Sequence, residues 1–384
     1  MRFIRAEELK PGMRLARPIY SKQGALLYDR AAVLKDQQSI ENIKGFGLIG
    51  LFVLEPAEPV PPMTDQDKEF ERFQTMMTFQ IRDELTFISK NHKTSNMMVI
   101  AANIIRDYGN LKEKLTFIQG LRSKDDYIYK HSLNVAILCA VLSHTLKLTP
   151  AEQNEVVLSA IIHDIGRLQA PAEIVAKRKK SPEERDVIAK YEVAGHSVID
   201  DVFMGDPNIR RICAQSQQLL MEYKNNSFGE TGKLSKGAKI LAVAGTFDVE
   251  TAVQIDTDPS SEVSVIKKML KREDIFDYNI VQALMSSLNI LVPGVSVELN
   301  NGEKALVITE NPGDIMHPIV LSFKTNKMLD LSRSMDVKGI EIVDIMKTMD
   351  NRVVIKDVSG FNSNPEPTEA RKADVAHNMS MSAF

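Results

Sequence analysis

Apolar residues recur along most of this chain at steps of three and four. Phe70, Phe73, Met77, Ile81, Leu85 and Ile88 line one face of a long helix predicted from Asp65 to Ser89. Ser132–Leu146 and Ala151–His163 read as two more helices, joined by Lys147, Leu148, Thr149 and Pro150. Thr149 suits an N-cap, with Pro150 at the first helical position and Glu152 at the third. Ser181-Pro182-Glu183-Glu184 repeats that signature before the next helix. Gly237–Val253 and Val263–Leu288 complete a helical block, assigned to residues 67–292.

The pattern changes at both ends. Residues 1–57 read as a small α+β domain. In it Arg14–Tyr20 and Ala25–Tyr28 flank a hairpin-like turn at Ser21–Gly24, Val33–Ile43 is a short helix, and Leu48–Leu54 is a buried strand. A Pro-rich linker over 58–66 separates it from the helices, because proline continues neither a helix nor a central strand. After Pro293-Gly294, Val295–Leu299 and Lys304–Ile308 form a predicted hairpin across Asn300–Gly302. Pro318–Phe323 and Lys327–Leu331 extend it into a β subdomain over 293–357, and the Ser-, Asn- and Pro-rich stretch 358–384 reads as a disordered tail. The expected fold class is mostly α.

With 384 residues, 43% of them hydrophobic, the chain can bury a large core in two or three domains. A net charge of −3 argues against a general nucleic-acid or membrane footprint. No apolar run approaches the roughly 20 residues that span a bilayer, and Met1–Glu8 lacks the apolar core of a signal peptide. A cytoplasmic location is therefore expected. Cys139 and Cys213 sit in apolar helical patterns and read as buried free thiols. No Walker-type loop, nucleophile elbow or dinucleotide fingerprint is present.

The chemistry concentrates at His163-Asp164, inside the segment Leu158–Arg167. A helix ending in adjacent His and Asp can present an imidazole nitrogen and a carboxylate oxygen to one point. A second helix carrying His131 can bring another imidazole there, which makes a site for a divalent metal. Without an ion, the same three side chains read as a polar cluster holding helices together, with the imidazoles hydrogen-bonded to Asp164.

This stretch resembles the HD superfamily of metal-dependent phosphohydrolases. More closely it resembles the HD-GYP branch, whose active members hydrolyse cyclic di-GMP. The resemblance covers roughly residues 120–290 and implies an HD-type helical bundle. His131 falls 32 residues before His163, as the family pattern requires. The remaining family ligands fall on other residue types: Tyr191 in the family's His-Pro-x-x-Gly, Gln217 and Gln218 in its His-His-Glu, and Gly245 in place of a metal-bridging Asp. Asn225-Asn226-Ser227 stands at Gly-Tyr-Pro, and Arg167 stands where the family has Lys. Asp125, Asp126 and Asp248 are further carboxylates outside the family's ligand positions.

Such enzymes use two or three ions, each with about four to six ligands. His131, His163 and Asp164 can hold at most one ion of iron, manganese or magnesium, and no ion at all is the alternative. Arg167 is a candidate phosphate-binding group or a partner for a carboxylate. The expected function is a degenerate, catalytically silent HD-GYP-like signalling protein that binds a cyclic dinucleotide or a protein partner. The alternatives are a metal-dependent phosphodiesterase on cyclic di-GMP or another phosphoester, and a scaffold that dimerises through the Phe70–Ile88 helix. No nucleic-acid polymer or membrane is expected as a partner.

Overall fold

The computed structural model describes residues 2–345 except 22–24, 55–63, 256, 334–336 and 338. Residues 22–24 of the expected turn at Ser21–Gly24, most of the Pro-rich linker, the end of the β subdomain and the tail over 358–384 lie outside the described residues. No helix among the described residues is long and apolar enough to cross a membrane.

The first unit is built from β1 (Arg2–Arg5), β2 (Arg14–Leu15), β3 (Ile19–Tyr20), β4 (Leu26–Tyr28), α1 (Gln37–Gly45) and β5 (Gly50–Leu54). β5 lies between β1 and β2 in an antiparallel sheet, and β3 pairs with β4. The helix expected from Val33 starts at Gln37, because the Asp36 side chain accepts from the Ser39 amide at 2.8 Å and caps it there. This unit has its own core around Leu15, Leu34, Ile40, Ile43, Leu51 and Phe52.

The helices are α2 (Asp65–Asn91), α3 (Met97–Tyr108), α4 (Tyr127–Thr145), α5 (Pro150–Ile162), α6 (Ala172–Val175), α7 (Pro182–Val202), α8 (Pro207–Lys224), α9 (Lys236–Thr251), α10 (Glu262–Leu270) and α11 (Tyr278–Ser287). The capping boxes expected at Thr149 and Ser181 are present, and Thr64 makes a third at the start of α2. The single helix expected over Val263–Leu288 is two helices. The polar run Lys271–Asp274 interrupts the apolar pattern, and the Asp277 side chain caps a new start.

α4 is the central helix, buried at every residue from His131 to Ser143. The α2 stripe is covered by its own chain: Phe70, Met77, Ile81, Leu85 and Ile88 are each no more than 4% exposed and belong to the main core. These five residues therefore face the interior and are not open to a second copy of the chain, against the expectation of a scaffold that dimerises through the Phe70–Ile88 helix. Cys139 and Cys213 are buried free thiols, as expected.

The last unit is a five-stranded antiparallel sheet in the order β10-β6-β7-β8-β9, formed by β6 (Ser296–Leu299), β7 (Lys304–Thr309), β8 (Ile319–Ser322), β9 (Met328–Asp330) and β10 (Ile342–Ile345). Its inward residues Val297, Leu299, Ala305, Val307 and Val320 join the same core as the helices. The fold is thus mostly helical, with small antiparallel sheets at either end.

Candidate metal centre

α5 is apolar to its last turn, so its C-terminus lies deep in the protein. His163 occupies the C-cap in helical conformation, and Asp164 leads into a 3-10 turn over Ile165–Gln169. This ending sends adjacent imidazole and carboxylate groups toward the first turns of α4, where His131 sits. Gly166 and Gly195 let α7 close over the turn. A Cβ on Gly166 would lie 2.1 Å from the Tyr191 carbonyl oxygen, and one on Gly195 would lie 2.7 Å from the Gly166 nitrogen.

One ligand atom from each of His131, His163 and Asp164 lies within 4.8 Å of the others. His163 Nδ1 is 2.8 Å from the Ala160 carbonyl, which can only accept, so Nδ1 carries the hydrogen and Nε2 the lone pair. His131 Nδ1 is 2.6 Å from Asp248 Oδ2, and the same assignment follows. The two Nε2 atoms face each other at 3.2 Å. Asp164 oxygens stand 3.8 Å from His131 Nε2 and 3.9 Å from His163 Nε2, too far to hydrogen-bond. The expected imidazole–Asp164 hydrogen bonds are therefore absent, because both rings are turned by partners on their other nitrogens.

Two lone pairs aimed at each other need a proton or a metal ion between them. Burial disfavours a protonated His163 more strongly than Asp164 favours it, and the ring's pKa lies below its ordinary value. The donor set of two imidazole nitrogens and one carboxylate suits a borderline divalent ion, and the nitrogen spacing suits two bonds of about 2.0–2.2 Å to one centre. The residues present thus fit a single ion.

Behind His131 lies a buried anion. Asp248 is fully buried, and its carboxylate accepts from Arg122 Nη2 at 2.6 and 2.7 Å, Asn134 Nδ2 at 2.8 Å and Gln119 Nε2 at 3.1 Å. Burial alone would raise its pKa. The Arg122 charge and the His131 hydrogen bond outweigh that and hold it far below the carboxylate range. Arg122 also lies over the Tyr127 ring at 5.0 Å, and that ring stacks on His131.

Residues 116–280, which hold all of these groups, match a family model described as an HD domain. The chain carries an HD domain. It is similar to the cyclic di-GMP phosphodiesterase PA4108 of Pseudomonas aeruginosa, at 22% identity over 81% of this chain and 80% of that protein. It is also similar to the cyclic di-GMP phosphodiesterase PdeB of Borreliella burgdorferi, at 24% identity over 56% of this chain and 57% of that protein. Among solved structures it resembles "Bd1817, a HDG"Y"P protein from Bdellovibrio bacteriovorus", with a TM-score of 0.39 and 14% identity over 73% of this chain and 97% of that one. The HD domain is related to those of cyclic di-GMP phosphodiesterases.

Around the HD centre the other expected residues are scattered. Tyr191 places its backbone against Gly166. Gln217 accepts from His196 Nε2 at 2.6 Å, so His196 has a partner outside the centre. Gln218 is exposed and donates to Glu222 at 2.9 Å. Gly245 is buried, and a Cβ there would meet no atom within 4 Å. Asp126 accepts from the Ser123 amide at 2.7 Å and pairs with Lys130 at 2.8 Å. Arg167 stands 3.7 Å from Asp164 and 3.4 Å from Glu192, so it faces carboxylates.

Burial opposes the charge on Asp164, but His163, Arg167, His131 and Lys224 together hold its pKa below the ordinary value. Glu192 moves the other way, raised by burial and then by Asp164 against the pull of Arg167. Sequence reasoning missed Glu192, Lys224 and the role of Asp248. Glu192 directly follows Tyr191, and Asp248 lies three residues after Gly245, so both stood beside positions already singled out.

Proposed function

We propose that this protein is a signalling HD protein that binds a cyclic dinucleotide of the cyclic di-GMP class and has little or no phosphodiesterase activity. The observation that carries this reading is the size of the ligand set. Among the described residues, only His131, His163 and Asp164 converge as metal-ligating groups. No further His, Cys, Asp or Glu joins them, and Gln217 and Gln218 are engaged by His196 and Glu222. One iron or manganese ion held by the three would polarise a phosphate oxygen and acidify a bound water. The chain's own residues act around it: Asp248 orients His131, and the Ala160 carbonyl orients His163. Arg167 and Lys224 bring positive charge to the Asp164 side, where a phosphodiester would be neutralised. The names of the two curated relatives support the choice of a cyclic dinucleotide.

The test uses the full chain. Elemental analysis after manganese or iron loading is expected to give at most one ion per chain at this site, removed by Asp164→Ala. Calorimetry is expected to show cyclic di-GMP binding, and chromatography after prolonged incubation with the loaded protein is expected to show intact ligand. Turnover that disappears in Asp164→Ala would establish the second reading, a one-ion phosphodiesterase. The held orientation of His131 is the observation that favours it. No binding of the dinucleotide would overturn both readings.

A further inference from the structure

A cavity lies apart from the HD centre, in the seam between the N-terminal unit and the helices. Its volume is about 340 Å³, and neither His163 nor Asp164 lines it. The seam is built, not incidental. The Ile49 amide donates to the Arg122 carbonyl at 3.1 Å, and the Lys124 amide donates to the Gly47 carbonyl at 3.2 Å. Arg30 of the N-terminal unit reaches Glu71 of α2 at 2.8 Å.

Leu27, Phe46, Leu48, Phe79 and Ile118 make the walls mainly apolar. Tyr20 and Leu27 border the space and are each 39% exposed, so an occupant would cover apolar surface. The charged side chains on the walls are paired with one exception. Arg17 faces Glu71 at 3.3 Å, Lys130 faces Asp126 at 2.8 Å, and Arg122 holds Asp248. Arg82 stacks on Phe79 and Tyr129, with ring distances of 5.4 and 5.5 Å, and has no hydrogen bond or ion pair among the described residues. Stacking uses the faces of the guanidinium and leaves its N–H edge for an acceptor.

We propose that this cavity binds a small amphipathic anion, an apolar or aryl body bearing one carboxylate-like group, with the anion on Arg82. The volume falls within the roughly 300–1,000 Å³ of small-molecule sites, and an apolar wall with one placed charge is their usual composition. The lining includes Gln119 and Asn134, whose amides also hold Asp248 behind His131, so an occupant would adjoin the support of the HD centre. The inference does not depend on whether that centre hydrolyses anything.

Anilinonaphthalene sulfonate and its uncharged parent phenylnaphthylamine share one aryl body and differ by the anion, so they are the probes. Fluorescence titration of the full chain is expected to show one sulfonate per chain, bound more tightly than the parent. Arg82→Met keeps the apolar stem and is expected to weaken the sulfonate about tenfold or more, with the parent changed by less than about twofold. Gly120 also lines the cavity, and a Cβ there meets nothing within 4 Å, so Gly120→Leu places added apolar bulk at the lining from an unobstructed Cβ. That variant is expected to weaken both probes about tenfold or more, with an unchanged melting curve as its check. Sulfonate binding indifferent to both variants overturns the site. Arg82→Met weakening both probes equally overturns the anion.

Discussion

Asp248 sets the charge balance behind the HD centre. Replacing it by Asn leaves Arg122, which is 1% exposed, without its anion and His131 without a charged acceptor. Breaking one partner of such a buried pair costs about 3–5 kcal/mol, so Asp248→Asn is expected to lower the denaturant midpoint markedly. Manganese affinity, measured by calorimetry on the folded fraction, is expected to fall about 10- to 100-fold, the usual effect of losing the group that orients a ligating histidine. Unchanged affinity would mean that His131 is not a ligand. Gly245 tests the opposite direction. It lies one turn before Asp248 on the same side of α9, and a Cβ there meets open space. Gly245→Asp is expected to raise manganese affinity about tenfold or more, and Gly245→Asn is expected not to. Equal effects of Asp and Asn would show that the carboxylate does not reach the ion. The three converging ligands were legible in sequence because residue type and spacing suffice to suggest them. The role of Asp248 was not, because Arg122, Gln119 and Asn134 stand 126, 129 and 114 residues away along the chain.

The corner between α2 and α3 shows a cap supplied from outside the capped helix. Asn96 precedes α3 but makes no side-chain cap. Glu84 of α2 does the work instead, accepting from the amides of Ser95, Asn96 and Met97 at 2.8, 2.9 and 3.2 Å and from the Thr94 and Ser95 hydroxyls at 2.6 Å. Its negative charge also lies at the positive end of α3. Burial raises the pKa of this carboxyl, but the hydrogen bonds from Ser95, Thr94 and Asn96 outweigh it, and the net shift is downward. A depressed carboxyl stabilises the fold above its ordinary pKa, and that contribution is lost as pH falls through the folded value. The melting temperature of the wild type is therefore expected to drop from about pH 5 downward more steeply than that of Glu84→Gln. At neutral pH the variant is expected to cost about 1–3 kcal/mol, since an amide nitrogen now faces donors. Parallel pH profiles would show that Glu84 carries no such linkage. The Thr149 and Ser181 caps could be read from sequence because cap and acid lie within one turn. Glu84 could not, since its partners come from the next element and an acid beside Ile81, Leu85 and Ile88 looks like the polar edge of a stripe.

At the scale of the whole molecule, the destination of that stripe decides what the long helix is for. Periodicity identifies an apolar face but not the surface that covers it, which is why a second copy of the chain was a reasonable expectation and the interior was the outcome. Nor does it show that the C-terminal sheet shares the helical core, because Val297 and Val307 meet helix residues only through tertiary packing. Five large side chains of α2, Phe70, Met77, Ile81, Leu85 and Ile88, are buried in that core. Each contributes about 1.5–3 kcal/mol by leaving water, an upper bound because unfolded chains already bury some surface. Together they approach the whole net stability of an ordinary domain, about 5–15 kcal/mol. A chain beginning at Met97 also loses Glu84 from the end of α3 and the N-terminal backbone that bonds to Arg122. It is expected to show no cooperative thermal transition by circular dichroism and to aggregate, where the full chain melts cooperatively. A shortened chain that stays monomeric and melts within a few degrees of the full one would mean that α2 is dispensable packing. The HD bundle would then have to be stable on α3–α11 and the C-terminal sheet alone, with the faces of α3 and α4 that now meet α2 turned to solvent.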